Sequence, residues 1–224
     1  MESPLCPADA IAQDADFRLI ETFGYRAGCG IRGLQHHLHR LQRSARVFGI
    51  PFDPRAQMAP LQALQAEEDL RCRLSLAATG AVELSTVPLP PTPQSWVVAL
   101  AKQRVRSDDA WLLHKTTHRR LYDAVRNTLP AGVDEMLFLN ERDELCEGTI
   151  TNVFVTLRSG RRVTPPLSSG LLPGVLRQQL LEAEQVSEQV VTLQDLRDAQ
   201  AVTLGNSLRG EIRAIFSGVV APSR

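Results

Sequence analysis

The chain has 224 residues, 43% hydrophobic and 22% charged, an ordinary globular balance and length enough for one large domain or two small ones. Its 25 basic and 25 acidic residues cancel, so nothing in the charge draws it toward nucleic acid or an anionic membrane. Four widely spaced cysteines (Cys6, Cys29, Cys72, Cys146) form neither a CxxC pair nor a zinc-finger spacing, and are expected as free thiols in a reducing compartment.

Residues 1–16 read as a loose leader, without the basic start and apolar core of a signal peptide. No apolar run approaches membrane-spanning length, and a cytoplasmic location is expected. FRLIETF (17–23) has strand character, and CGIRG (29–33) turns the chain. From Leu34 a helix is predicted, with Leu34, Leu38, Leu41, Ala45 and Phe48 on one face and bases on the other. Gly49 and Pro51 stop it, and a second helix is expected over 57–67. Residues 71–78 and 81–87 read as a hairpin, 88–94 as a proline-rich connector and 96–102 as a strand.

The polar run RVRSDD (104–109) suggests a boundary between a smaller lobe, 1–103, and a larger one, 104–224. Beyond it the pattern predicts a helix over 118–129 and strands over 134–140 and 151–157, with a turn at 140–144. RRVTPP makes a short strand, and a helix begins near Val175 after a loop. EQVVTL, AVTL and EIRAIF supply further strands, with LQDLRDA as a helical turn or two. Strands and helices mix without strict alternation, which predicts an α+β layout in two lobes.

The chain writes arginine almost everywhere and lysine only at 102 and 115. Arginine cannot serve as an amine nucleophile, whereas a desolvated lysine can. Lys102 ends a strand beside a polar connector, where a solvated role is expected; Lys115 lies in HKTTHRR, between a histidine and two threonines. In ELCEGTITNVFV, Glu147 is either a turn acid or a carboxylate held at the mouth of a sheet. In SSGLLPGVLRQQLL, Gly170 and Gly174 lead into a helix start whose free amides suit an anion, although an ordinary loop-to-helix turn has the same pattern. Ser207 in TLGNSLRG and Arg40 in HLHRL are further phosphate candidates; Arg40 reads equally as one more cation on a polar helix face. His36 and His39 share a helix side without an acidic or cysteine companion, so no metal site is predicted. A reactive lysine, a carboxylate and a phosphate cradle together suggest pyridoxal phosphate.

Taken in order, LIETF, HLHRLQRSARVFGIPFD, HKTTHRRLYD, DEMLFLNERDELCEGTITNVFV, TPPLSSGLLPGVLRQ and GNSLRG resemble the motifs of the class IV (fold type IV) pyridoxal-phosphate enzymes, from about residue 17 to the C-terminus. The resemblance implies a two-lobed fold of the D-amino acid aminotransferase type, with the cofactor in the cleft between the lobes, and a homodimer. It implies that Lys115 carries the cofactor as a Schiff base and that Glu147 partners the pyridine nitrogen. It implies that Arg40, the amides of Val175 and Leu176, and Ser207 hold the phosphate, and that Tyr122 approaches the cofactor. Many aminotransferases of the family have threonine where this chain has Leu176, so that contact is expected through the backbone.

Within the family, KTTxRxxYD and TPPLSSGLLPG look most like 4-amino-4-deoxychorismate lyases, which implies release of pyruvate and 4-aminobenzoate, a folate precursor. An aminotransferase of branched-chain or D-amino acids is the alternative, and a non-catalytic protein on the same fold a more distant one. Arg119 and Arg209 are the candidate partners of a small amine-and-carboxylate substrate.

Overall fold

The computed structural model describes residue 11 and residues 14–219. Most of the leader, including Cys6, lies outside the described residues. Two compact units emerge: one runs to Pro90 and takes in His114–His118, the other comprises Pro91–Leu113 and the chain from Arg119 onward.

The first unit carries a four-stranded antiparallel sheet in the order β2-β1-β3-β4, built from β1 (Arg18–Arg26), β2 (Gly30–Ile31), β3 (Leu70–Ala77) and β4 (Val82–Pro88). β3 alternates between buried Leu70, Cys72, Leu74 and Leu76 and outward residues such as Arg71 and Arg73, as a strand with one solvated face should. Register sets Leu19 beside Leu76, Glu21 beside Leu74 and Phe23 beside Cys72, so Glu21 lies on the buried face of the sheet.

Helix α1 (Leu34–Val47) buries His37, Arg40, Leu41, Ser44 and Ala45, spaced for one helical face. That face keeps the expected Leu41 and Ala45, with Phe48 just beyond, but is displaced toward His37 and Arg40. Leu34 and Leu38 are half-buried, and Arg40 is inside rather than on a polar surface, because Glu21 offers it a charge partner on the facing strand. Helix α2 spans Pro54–Gln62, earlier than the predicted 57–67. Asp53 caps it by accepting from the Arg55 amide, and Pro54 suits its first position.

The second unit is a closed ring of six strands: β5 (Ser95–Val105), β6 (Glu135–Asn140), β7 (Leu145–Gly148), β8 (Asn152–Thr156), β11 (Ala201–Asn206) and β12 (Gly210–Val219). β7 pairs with β8 through Glu147 and Asn152 and closes the ring. β9 (Arg162–Thr164) and β10 (Ser187–Glu188) extend the sheet beyond β8. β5 runs parallel to both β6 and β12. The polar run 104–109 therefore falls inside this unit, since β5 is bonded into its sheet through Val105.

Val98, Leu100, Leu137, Leu139, Leu145, Val153, Val155, Leu204 and Ile212 form one apolar core. Met136, Phe138 and Cys146 face the other way, toward a second core that includes Val125 of α3 (Arg120–Asn127). Helix α4 (Val175–Glu182) packs Leu176 and Leu180 around Phe154. Of the predicted strand EQVVTL only Glu188 is in a strand, because Thr192 caps α5 (Leu193–Asp198) in a reciprocal capping box with Asp195. The short strand β7 lies between the predicted turn at 140–144 and the predicted strand at 151–157, where the pattern assigns no element. Among the described residues no helix is long and apolar enough to cross a membrane. Cys29 is exposed, Cys72 and Cys146 are buried, and all three are free thiols.

Candidate active site

In the first unit, the lysine segment is stitched to β1. The Ile20 amide donates to the Lys115 carbonyl at 2.8 Å, and the Thr117 amide donates to the Arg18 carbonyl at 2.9 Å. The Arg18 amide donates to Thr117 Oγ1, also at 2.9 Å, and Leu19 and Thr116 form an antiparallel bridge. The backbone on both sides of Lys115 is thus fixed, and its side chain is half-buried. Lys102, by contrast, is exposed on β5. His114, next to the lysine, packs edge-on against Phe48 at 4.9 Å, with its Nδ1 2.9 Å from the Ser44 hydroxyl. Burial, and then the charge of Arg43, lower its pKa, so it favours the neutral ring.

Also in this unit, Arg40 presents Nε and Nη2 to the two oxygens of Glu21, at 2.8 and 2.5 Å. His37 Nδ1 lies 2.6 Å from Glu21 Oε2, which places the proton of that ring nitrogen toward the carboxylate. Burial alone would raise the Glu21 pKa; the Arg40 charge and the hydrogen bonds from His37 and Arg40 outweigh it and hold it at about 2.

In the second unit, Glu147 is 6% exposed. Its Oε1 accepts from the Tyr122 hydroxyl at 2.8 Å, and its Oε2 lies 3.4 Å from Asn152 Nδ2. A register shift aims it there. Leu139 pairs with Leu145 but Leu137 with Gly148, so β7 holds one more residue than β6 across that interval. Strict alternation would return residue 147 to the side of Leu145; the bulge lets it meet Tyr122, whose ring packs at a tilt against Phe138, 4.9 Å between centroids. Burial, then the Glu147 carboxylate, push the Tyr122 phenol well above its usual range, so Tyr122 stays a donor.

The turn after Glu147 is held by a residue that sequence reading missed. Glu135, fully buried, accepts from the Thr149 amide at 3.0 Å, the Ile150 amide at 3.2 Å and the Thr151 hydroxyl at 3.3 Å, and also from the Thr149 hydroxyl. A Cβ on Gly148 would fall 2.5 Å from Thr151 Oγ1 and 3.0 Å from the Glu135 carboxyl carbon. Asn206 joins this turn to the Ser207 turn: its Nδ2 donates to the Ile150 carbonyl at 3.1 Å, and its Oδ1 accepts from the Leu208 and Arg209 amides at 3.1 and 3.0 Å. Arg119 donates from Nε to Asp123 at 2.7 Å and from Nη2 to the Thr149 carbonyl at 2.8 Å, with its guanidinium 5.7 Å from the centre of the Tyr122 ring. Arg209 lies 5.7 Å from the centre of the Trp96 ring.

Helix α4 begins at Val175 with neither a capping side chain nor an acid in its first turn, leaving its dipole end suited to an anion. Glycine permits two close approaches around that start. A Cβ on Gly174 would lie 1.9 Å from Asn152 Oδ1, and one on Gly205 would lie 2.6 Å from Leu176 Cδ2. Asn152 Nδ2 meanwhile donates to the Leu172 carbonyl at 2.9 Å, tying the LLPG loop to the strand that closes the ring. Leu176 packs its side chain against β11 and Phe154, so its amide is what it has to offer a ligand. Among the described residues no cluster of three potential metal ligands occurs. The residues present suit pyridoxal phosphate: the first unit holds a half-buried lysine, and the second holds a buried carboxylate and a helix start with no capping side chain.

A family model for amino-transferase class IV matches residues 18–215. A Schizosaccharomyces pombe protein described as "Putative aminodeoxychorismate lyase" is 27% identical over 201 residues, 85% of this chain and 86% of its own. A Mesorhizobium loti structure described as a "Putative amino-acid aminotransferase" is 40% identical, with a TM-score of 0.84 over 90% of this chain and 100% of its own. The 4-amino-4-deoxychorismate lyase of Pseudomonas aeruginosa has a TM-score of 0.77 and 27% identity over 92% of this chain and 85% of its own. The chain belongs to the class IV aminotransferases, with their α+β fold type IV architecture, and is a pyridoxal-phosphate-dependent enzyme.

Proposed function

We propose that this enzyme is a 4-amino-4-deoxychorismate lyase, which splits its substrate into pyruvate and 4-aminobenzoate. The observation that carries the reading is the fission-yeast relative, whose likeness spans 85% of this chain and 86% of its own. The lysine motif KTTxRxxYD supports it. Pyridoxal phosphate, when bound, supplies an electron sink for breaking bonds at the amine-bearing carbon. Lys115 binds the cofactor and then, through Nζ, takes the proton from that carbon as the substrate ring becomes aromatic. Glu147, a hydrogen-bond acceptor oriented by Tyr122, holds a proton on the pyridine nitrogen. Arg40, the amides of Val175 and Leu176, and Ser207 bind the phosphate. Arg119 and Arg209 orient the substrate carboxylates. Balanced charge, free thiols and the family resemblance support a cytoplasmic homodimer.

The 40% identity to the Mesorhizobium loti protein favours a second reading, an amino-acid aminotransferase. Incubation with enzymatically made aminodeoxychorismate separates the two. Stoichiometric 4-aminobenzoate and pyruvate, abolished in Lys115→Ala together with the yellow absorption of the purified protein, is the expected result. Turnover of amino acids with a keto-acid acceptor, without pyruvate release from aminodeoxychorismate, would establish the aminotransferase instead.

A further inference from the structure

We propose that Glu21 and His37 are positioning residues for the cofactor phosphate, acting through Arg40. This rests on the reading of Arg40 as a phosphate ligand and assigns a cause to its orientation.

Arginine has a long, rotamer-rich side chain, and one used to bind a phosphate loses that freedom unless something else has already fixed it. Glu21 does so. It takes the guanidinium side-on, through Nε and Nη2, on two separate oxygens, which fixes the plane and the rotation of the fork. The fork is rigid, so the edge containing Nη1 is turned away from Glu21. Glu21 is itself immobilised. It lies on β1, opposite Leu74 in the sheet register, is 1% exposed, and has its Oε2 held by His37 Nδ1 at 2.6 Å. His37 is fully buried and braced edge-on by Phe23 at 5.1 Å.

A purely stabilising pair would be an expensive choice at this place, since two apolar residues of similar volume usually do as well. The same strand holds the reactive segment: the Ile20 amide, adjacent to Glu21, bonds the Lys115 carbonyl. β1 therefore orients the lysine backbone with its edge and the arginine with its buried face.

The test compares equilibrium binding of pyridoxal phosphate and of pyridoxal, which lacks the phosphate, to the apoprotein. The dissociation constant of pyridoxal divided by that of pyridoxal phosphate isolates what the phosphate contributes. Glu21→Gln is expected to lower that ratio about tenfold while pyridoxal affinity stays within about twofold, a shift of about 1.4 kcal/mol in phosphate binding alone. Arg40→Ala should lower it further, and the double variant should match Arg40→Ala, because Glu21 acts only through Arg40. His37→Phe keeps a ring against Phe23 but removes the Glu21 contact; it should lower the ratio several-fold and decides the matter if Glu21→Gln does not fold. An unchanged ratio in these variants, beside a lowered one in Arg40→Ala, overturns the positioning role and spares the arginine. An unchanged ratio in Arg40→Ala overturns the phosphate role of the arginine and the inference with it.

Discussion

Replacing Glu135 by glutamine tests whether one buried carboxylate shapes the turn that follows Glu147. Its Oε1 accepts from the Met136 and Thr149 amides, both at 3.0 Å, and has Arg126 Nη1 at 3.5 Å. Its Oε2 accepts from the Ile150 amide at 3.2 Å and the Thr151 hydroxyl at 3.3 Å. Glutamine keeps one acceptor oxygen and must set an NH2 group in the other position. The less costly orientation puts it at Oε2, where the Thr151 hydroxyl can turn to accept but the Ile150 amide cannot. One hydrogen bond to a charged group is lost, at about 1.5–3 kcal/mol, and those at Oε1 lose their charge assistance. The Arg126 pair is long and one-sided in exposure, 32% against 0%, and adds little. A destabilisation of about 3 kcal/mol is expected. Trp96 and Trp111 both lie in the second unit, so tryptophan fluorescence in a urea titration follows it. The expected result is a lower midpoint at unchanged slope. A loss under about 0.5 kcal/mol, in the range of an ordinary surface change, would refute the reasoning.

Tyr122→Phe deletes the donor to Glu147 Oε1 and leaves a buried acceptor short of a partner. Weaker cofactor binding and a stability loss of about 1–2 kcal/mol are expected, read by cofactor titration and thermal melting. Gly174→Ala sets a methyl 1.9 Å from Asn152 Oδ1 and must displace the helix start or the strand, so affinity for pyridoxal phosphate should fall at least about tenfold; calorimetric titration that finds wild-type affinity would count against the helix start as the phosphate site. Acid should act through Glu21. Its folded pKa of about 2 lies below the 4.5 of an ordinary glutamate, so its contribution is complete above about pH 4.5 and is lost as pH falls toward 2. The gap corresponds to about 3 kcal/mol, and Glu21→Gln should flatten the stability profile in that window when urea midpoints are measured from pH 6 downward.

Much of this molecule was legible along the chain. Alternation in RCRLSLAA and AVELSTV announced the β3–β4 hairpin, and the glycine–proline punctuation before Val175 announced α4. Arginine's near monopoly made Lys115 conspicuous. What escaped sequence reading was polar and buried. Glu21, His37, Glu135, Asn152 and Asn206 carry no local signature, because a carboxylate or amide inside a protein is recognised by its partners and not by its neighbours in sequence. α1 shows the cost of scoring polarity alone. Its apolar periodicity pointed inward at Leu34 and Leu38, yet the buried face runs through His37 and Arg40, since Glu21 on β1 offers each a charged partner.

The sequence by itself determined the chemistry on offer: an amine at Lys115, an acid at Glu147, and a helix start free of acids after Gly174. Local pattern was enough there, since side-chain type and helix punctuation are properties of a few adjacent residues. Tertiary structure alone decided where those groups point. The extra residue of β7 turns Glu147 toward Tyr122, and pairing with Asn152 at the closure of the ring buries it. Register between strands is settled by contacts between residues distant in the chain, and a single-residue shift reverses which face a side chain takes.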